Sequence, residues 1–334
     1  MSNRIERFPK FPEPKIIDKL DEYIYKTGIF RAGLELNIWD KVAKGWDTAE
    51  KIAANEKWDP LGTRMLLDDL CSLKLLIKHN NRYHLVKEAE CYLLSDKPTY
   101  EGKFLINEFH WEGDGLLAET IRTGKRPIHY NATKDEMIDV WIEMYVSSLT
   151  DADNYLKMSK QLWKKLAVQP HSGMQVLDVA CGPAPRTLAL ARLHSGVQVT
   201  LLDWERILKT ALNFACKLGV EKQVTIKKGD LWATDFGSNQ FDLVFLGNIT
   251  HFFSPEENIR LFQKAYDALI PTGVIAINAI RHEYPLPLDP ELRYYALSKG
   301  GAAYDFEEYR DMLEKAGFTD IKDVAKQPIR AVKS

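Results

Sequence analysis

The chain has 334 residues, 45% hydrophobic, 11% aromatic and 28% charged, with a formal net charge of −2. That length and apolar content support more than one hydrophobic core, and the balanced charge gives no electrostatic case for a nucleic-acid or membrane partner. Cys71, Cys91, Cys181 and Cys216 are scattered without a C-x-x-C pair, which argues against a metal site or a disulfide framework and fits a reducing cytoplasm. The charged, proline-rich start does not read as a signal peptide, and no apolar run reaches the ~18 residues of a membrane span.

Residues 1–15 read as an extended arm. From Ile16 to Ala43 apolar residues recur at helical spacing, with Gly28 and Gly33 marking a break or a close helix contact. Thr48 starts a second helix, and Asp59-Pro60, a cap followed by proline at the first helical position, opens a third. Leu76 to Leu85 reads as a hairpin turning at Asn80-Asn81. Three helices and a hairpin predict a winged-helix domain over residues 1–100. Its third helix carries Asp59, Asp68 and Asp69 against Arg64 and Lys74, whereas a groove-reading helix is basic. A DNA-binding regulator is therefore the weaker reading. The stronger one is dimerisation, with the apolar surplus of Ile24–Trp39 buried against a second subunit.

Residues 101–165 are predicted to form a helical connector with many aromatic residues for a linker. Phe109, His110, Trp141, Met144 and Tyr145 are its candidate substrate-pocket residues, set against the plainer reading that they serve the core.

Residues 166–334 alternate strand and helix, the rhythm of a doubly wound, mostly parallel α/β sheet. Gln175–Val179 is a short apolar strand, followed by the small-residue loop Ala180–Pro185. Thr187 is placed to cap the next helix, and a second strand ends in Asp203. A dinucleotide fingerprint needs G-x-G-x-x-G, but only Gly182 is present, and Asp178 at the mouth of the loop would repel a pyrophosphate. That carboxylate suits the positive charges of S-adenosylmethionine (SAM), with Asp203 placed to accept its ribose hydroxyls. The same features disfavour an NAD-dependent oxidoreductase. Alanine tolerates positive φ poorly, so Ala180 and Ala184 are expected to keep ordinary dihedrals. Further strands are predicted at Val224–Ile226, Phe241–Leu246 and Val274–Ala279, the last after a Pro271-Thr272-Gly273 turn, with closing strands near Ile321 and Ile329–Ala331.

The run Asp178-Val-Ala-Cys-Gly182-Pro-Ala184 resembles motif I of class I SAM-dependent methyltransferases. With the helical N-terminal part, nearly the whole chain resembles the small-molecule O-methyltransferases that join a winged-helix dimerisation domain to such a fold. Asp203, the Gly229-Asp230 pair, Gly247-Asn-Ile-Thr-His251 and Leu269-Ile-Pro271-Thr-Gly273 carry the resemblance. It implies that Asp178 and Gly182 hold the methionine part of SAM and that Asp203, with Trp204 beside it, holds the ribose. Asp230 would accept from the adenine amino group, Leu231 would pack on the ring, and Gly247 and Asn248 would line the cofactor. S-adenosylhomocysteine (SAH) would be the product.

His251 is the candidate general base, since an imidazole suits removal of a hydroxyl proton. The family's acidic partners are missing: Phe252 follows the histidine, and Ile277-Asn278-Ala279 ends strand five. Glu283 or His282 is the candidate replacement. The expectation is a cytoplasmic, homodimeric methyltransferase for a small aromatic or conjugated acceptor, most simply at oxygen. The alternatives are C- or N-methylation, or a SAM-binding protein with other chemistry.

Overall fold

The computed structural model describes residues 12–106, 114–125, 152–281, 300–324 and 328–334, together with single positions between them that include Trp141 and Tyr145. Phe109, His110, Met144, His282 and Glu283 lie outside the described residues. The chain divides into two units, Met1–Ile106 and Asn107–Ser334.

In the first unit, helices α1 (Lys15–Glu35) and α2 (Ile38–Ala43) are separated by Asn37, which takes the left-handed conformation at φ 49°. The break therefore falls at asparagine, a residue that tolerates this region, and at neither glycine. Gly33 serves the close contact instead, because a Cβ there would lie 2.7 Å from the Trp39 ring. Thr48 caps α3 (Ala49–Glu56) by accepting from the Lys51 N–H, and Asp59 caps α4 (Pro60–Ser72) by accepting from the Gly62 N–H. Strands β1 (Leu76–His79) and β2 (Arg82–Leu85) pair antiparallel across Asn80-Asn81, both left-handed as a tight hairpin turn requires. Helices α5 (Lys87–Tyr92) and α6 (Gly102–Leu105) follow. Trp39, Ile52, Leu67, Leu70 and Tyr83 fill the core beneath the hairpin. Asp68 on α4 accepts from Lys78 Nζ at 2.6 Å and Tyr83 Oη at 2.8 Å, so its charge is spent inside the unit.

The second unit begins with α7 (Leu117–Thr123) and α8 (Ala152–Lys165) and then builds a seven-stranded sheet in the order β5-β4-β3-β6-β7-β9-β8. The strands β3 (Gln175–Val179), β4 (Gln198–Asp203), β5 (Val224–Lys228), β6 (Phe241–Gly247) and β7 (Leu269–Asn278) run parallel. The last hairpin, β8 (Phe318–Asp323) and β9 (Pro328–Lys333), inserts β9 antiparallel against β7. Along β6 the faces alternate with period two. Leu243 and Phe245 pack with α8, α9 (Pro185–Leu193) and α10 (Glu205–Leu218), whereas Val244 and Leu246 pack with α11 (Pro255–Ala268) and α12 (Phe306–Lys315). Burial on both faces explains the apolar run Leu243–Leu246 of β6.

Strand β7 differs from expectation at its start. It pairs already at Leu269 with Phe241, bulges, and resumes at Val274 opposite Leu243. Pro271-Thr272-Gly273 is thus a bulge within the strand. Gly273 is required there, because a Cβ would meet the Ile270 carbonyl oxygen at 2.8 Å. Among the described residues no helix is long and apolar enough to cross a membrane.

Candidate functional site

In a doubly wound sheet, ligands settle outside the carboxyl ends of the strands where the order reverses. Here β3 lies between β4 and β6, so the switch point is bounded by the loops that follow β3, β4 and β6.

The loop after β3 is tighter than its sequence predicts. Ala180 and Ala184 are left-handed at φ 51° and 52°, as is Gly182 at φ 54°. The expectation of ordinary alanine dihedrals is therefore wrong. The turn needs these conformations, and the surrounding burial enforces them at a cost of ~1–2 kcal/mol each. Thr187 is also not a cap. The helix opens at Pro185 from Ala184, and the Thr187 hydroxyl donates to Asp178 Oδ2 at 2.5 Å. Asp178 accordingly lies beneath the loop, 2% exposed, rather than at its mouth. Burial raises its carboxyl well above the usual range, the Thr187 hydrogen bond opposes that, and the nearby Asp203 charge adds to it.

Asp203 ends β4 and reaches across to the loop. Its Oδ2 accepts the Gly182 N–H at 2.9 Å and its Oδ1 accepts the Trp204 N–H at 2.7 Å. Burial outweighs those two donors and pushes the carboxyl up to about 6. Each oxygen retains acceptor capacity beyond its one backbone partner, which is the demand of a ribose diol. A diphosphate brought here would meet the Asp203 carboxylate at the end of β4. A cationic adenosyl ligand meets complementary charge, so the donor set fits SAM.

The loop after β5 is drawn in by the Gly229 N–H, which donates to the Asp203 carbonyl at 3.0 Å. Asp230, followed by Leu231, opens this loop, and its Oδ1 accepts the Trp232 N–H at 2.8 Å. After β6, Asn248 is left-handed at φ 55°, and its N–H donates to the Asn278 carbonyl at 2.7 Å. Gly247 is close-packed, since a Cβ would lie 2.8 Å from the Phe245 ring.

His251 sits in the short 3₁₀ turn Thr250–Phe252, 2% exposed. Burial lowers its imidazole to about 3, so the ring is neutral at physiological pH. Three residues overlooked in the sequence hold this turn. Tyr309 Oη lies 2.6 Å from Thr250 Oγ1, Asn258 Nδ2 donates to the Thr250 and Phe253 carbonyls, and Tyr304 Oη donates to the Phe253 carbonyl. Asn258 carries a signal in the sequence, an amide at helical spacing with Leu261, Phe262 and Ala265 on the apolar face of α11, where it is fully buried.

Two of the connector's candidate residues join the site. Trp141 stacks on Tyr145 (6.1 Å between centroids) and meets Phe252 edge-on (5.5 Å), while Phe252 lies 4.3 Å from His251. Tyr145 stands over Gly182, where a Cβ would be 2.9 Å from its ring. It therefore borders the cofactor loop, with its phenol pushed up by burial and by the charge of Asp203. Phe252, in place of an acidic residue, continues the aromatic run.

Residues 176–273 match the methyltransferase-domain family. Those residues form a methyltransferase domain, and the chain is a SAM-dependent methyltransferase. This methyltransferase is 23% identical over 328 residues to the S-adenosyl-L-methionine-dependent methyl transferase PigF of Serratia sp., a match covering 92% of both chains. It is 24% identical to the L-tyrosine C(3)-methyltransferase of Streptomyces lavendulae, across 66% of this chain and 59% of that one. Human N-acetylserotonin methyltransferase in complex with SAM has a similar fold, with a TM-score of 0.72 and 19% identity over 98% of this chain and 100% of that one.

A carboxyl raised from its unfolded value near 4 to about 6 makes the folded state bind the extra proton, so its destabilising effect is absent at pH 4 and complete above pH 6. The expected size is ~3 kcal/mol. Asn keeps one of the two acceptor oxygens, a loss that does not vary with pH, so the thermal midpoint of Asp203→Asn relative to the parent should shift in the variant's favour between pH 4.5 and pH 7.5. Differential scanning calorimetry at the two pH values measures this, and a midpoint difference that does not change with pH contradicts the assignment.

Proposed function

We propose that the methyltransferase acts on a small aromatic acceptor, most simply at a hydroxyl oxygen, with His251 accepting the hydroxyl proton. The observation that carries this reading is the aromatic run Tyr145–Trp141–Phe252, which leads from the cofactor loop to His251. Flat rings favour a flat acceptor held by stacked and edge contacts, each worth ~0.5–1.5 kcal/mol beyond area burial. When bound, SAM supplies a sulfonium methyl that passes in line to a nucleophile as the carbon–sulfur bond breaks and its electron pair stays on sulfur. The chain's own part is to align the acceptor, exclude water and take the proton.

The neutral His251 enters turnover as a proton acceptor, although burial makes it a weak one. Protonation there replaces the positive charge that disappears from sulfur, so the charge of the dry pocket is conserved. His251→Ala should lower turnover at least ~10²-fold with SAH affinity intact. Methyl-labelled SAM and an extract-derived acceptor supply the assay, and unchanged turnover removes His251 as base. The bond formed is read by heating the labelled product in hydriodic acid. An O-methyl leaves as labelled methyl iodide, whereas label retained in the product shows C- or N-methylation and overturns the oxygen assignment.

We also propose a homodimer formed through the first unit, as expected for a winged-helix dimerisation domain. Of the Ile24–Trp39 surplus expected against a partner, Leu34, Ile38 and Trp39 are instead buried in the unit's own core, and the exposed apolar face lies earlier: helix α1 leaves Ile16, Ile17, Leu20 and Ile24 between 53% and 76% exposed, with Tyr23 and Tyr25 exposed beside them. A contiguous apolar face of this kind marks an interaction surface. Sedimentation velocity should give a dimer for the parent and a monomer for Ile17→Asp/Ile24→Asp; a monomeric parent defeats the proposal.

A further inference from the structure

Lys264 on α11 is a half-buried lysine with Nζ over the ring of the buried Phe236, 4.5 Å from its centroid. Its ammonium donates to three backbone carbonyls of one turn: Leu231 at 2.6 Å, Thr234 at 2.8 Å and Trp232 at 3.2 Å. All three of its donors are thereby used on a segment thirty residues away. The same turn is closed from within by the Thr234 N–H, which donates to the Asp230 carbonyl at 2.8 Å, and by the Trp232 N–H on Asp230 Oδ1. Gly229 ties its start to the end of β4. Without the ammonium, three converging carbonyl dipoles would repel one another, and the turn would open around Asp230.

We infer that Lys264 is a positioning residue for adenine recognition, locking the 230–234 turn so that the second Asp230 oxygen faces the 6-amino group of the adenosyl ligand. The inference rests on the reading of Asp230 as the adenine acceptor. Lys264 acts through that carboxylate and does not touch the ligand. Loss of the clamp should therefore affect the choice between purine edges, whereas a general loss of structure would weaken all ligands alike.

The test is isothermal titration of the full-length enzyme with SAH and with S-inosylhomocysteine, in which oxygen replaces the 6-amino group. The parent should prefer SAH. Lys264→Met should weaken SAH by about tenfold and the inosyl ligand by less than about threefold, bringing the preference close to unity. Lys264→Arg, which keeps a cationic donor, should restore most of the preference. If Lys264→Met fails to fold by circular dichroism, Lys264→Gln carries the same expectation at smaller size. A parent that prefers SAH and a variant that keeps that preference overturn the clamp alone, as does an equal loss for both ligands. A parent with no preference overturns the Asp230 reading and the clamp with it.

Discussion

The structure turns on a carboxylate held out of water. Asp203 lies at the end of one strand and accepts a backbone N–H from the loop after its neighbour, so two separate loops share one anion. Both backbone donors favour the charged form, yet burial prevails and the proton affinity rises. A carboxylate with one backbone donor on each oxygen retains acceptor capacity for further donors. A ligand bringing hydroxyl donors and positive charge relieves that tension. A diphosphate increases it.

The remaining geometry keeps that crevice rigid. Left-handed turns at Ala180, Gly182 and Ala184 bring the backbone within reach of Asp203. Asp178 supports the loop from below through Thr187. Helix α11 then serves two neighbouring loops, since Asn258 holds the turn of His251 while Lys264 holds the turn of Asp230. The loops also touch directly, with Trp232 edge-on to Phe253 at 4.9 Å. A single helix thus sets the spacing between the turn of Asp230 and the turn of His251.

Much of this was legible in the sequence because local chemistry and tertiary demand agree. The Asn80-Asn81 turn, the Asp59-Pro60 helix start and the strand ending in Asp203 each use residues suited to their local geometry. The misreadings arise where tertiary packing overrides local preference. Alanine disfavours the left-handed region, yet two alanines occupy it in the cofactor loop. Pro271 conceals a strand that begins before it, because a bulge absorbs the missing donor. Threonine next to a helix start reads as a cap, but the Thr187 hydroxyl is spent on Asp178, nine residues back. Lys264 gave no signal, since a lysine on an amphipathic helix ordinarily faces water and its three acceptors lie far away in the chain.

The direct test of the central claim is the proton balance of cofactor binding. Titration of SAM into the enzyme at pH 6, in two buffers of different ionisation enthalpy, measures the protons exchanged per ligand. With the Asp203 carboxyl at about 6 in the free enzyme and returned to its ionised form by the ligand, about half a proton should be released, and none from Asp203→Asn. Binding with no proton release, or equally tight binding by Asp203→Asn, contradicts the account.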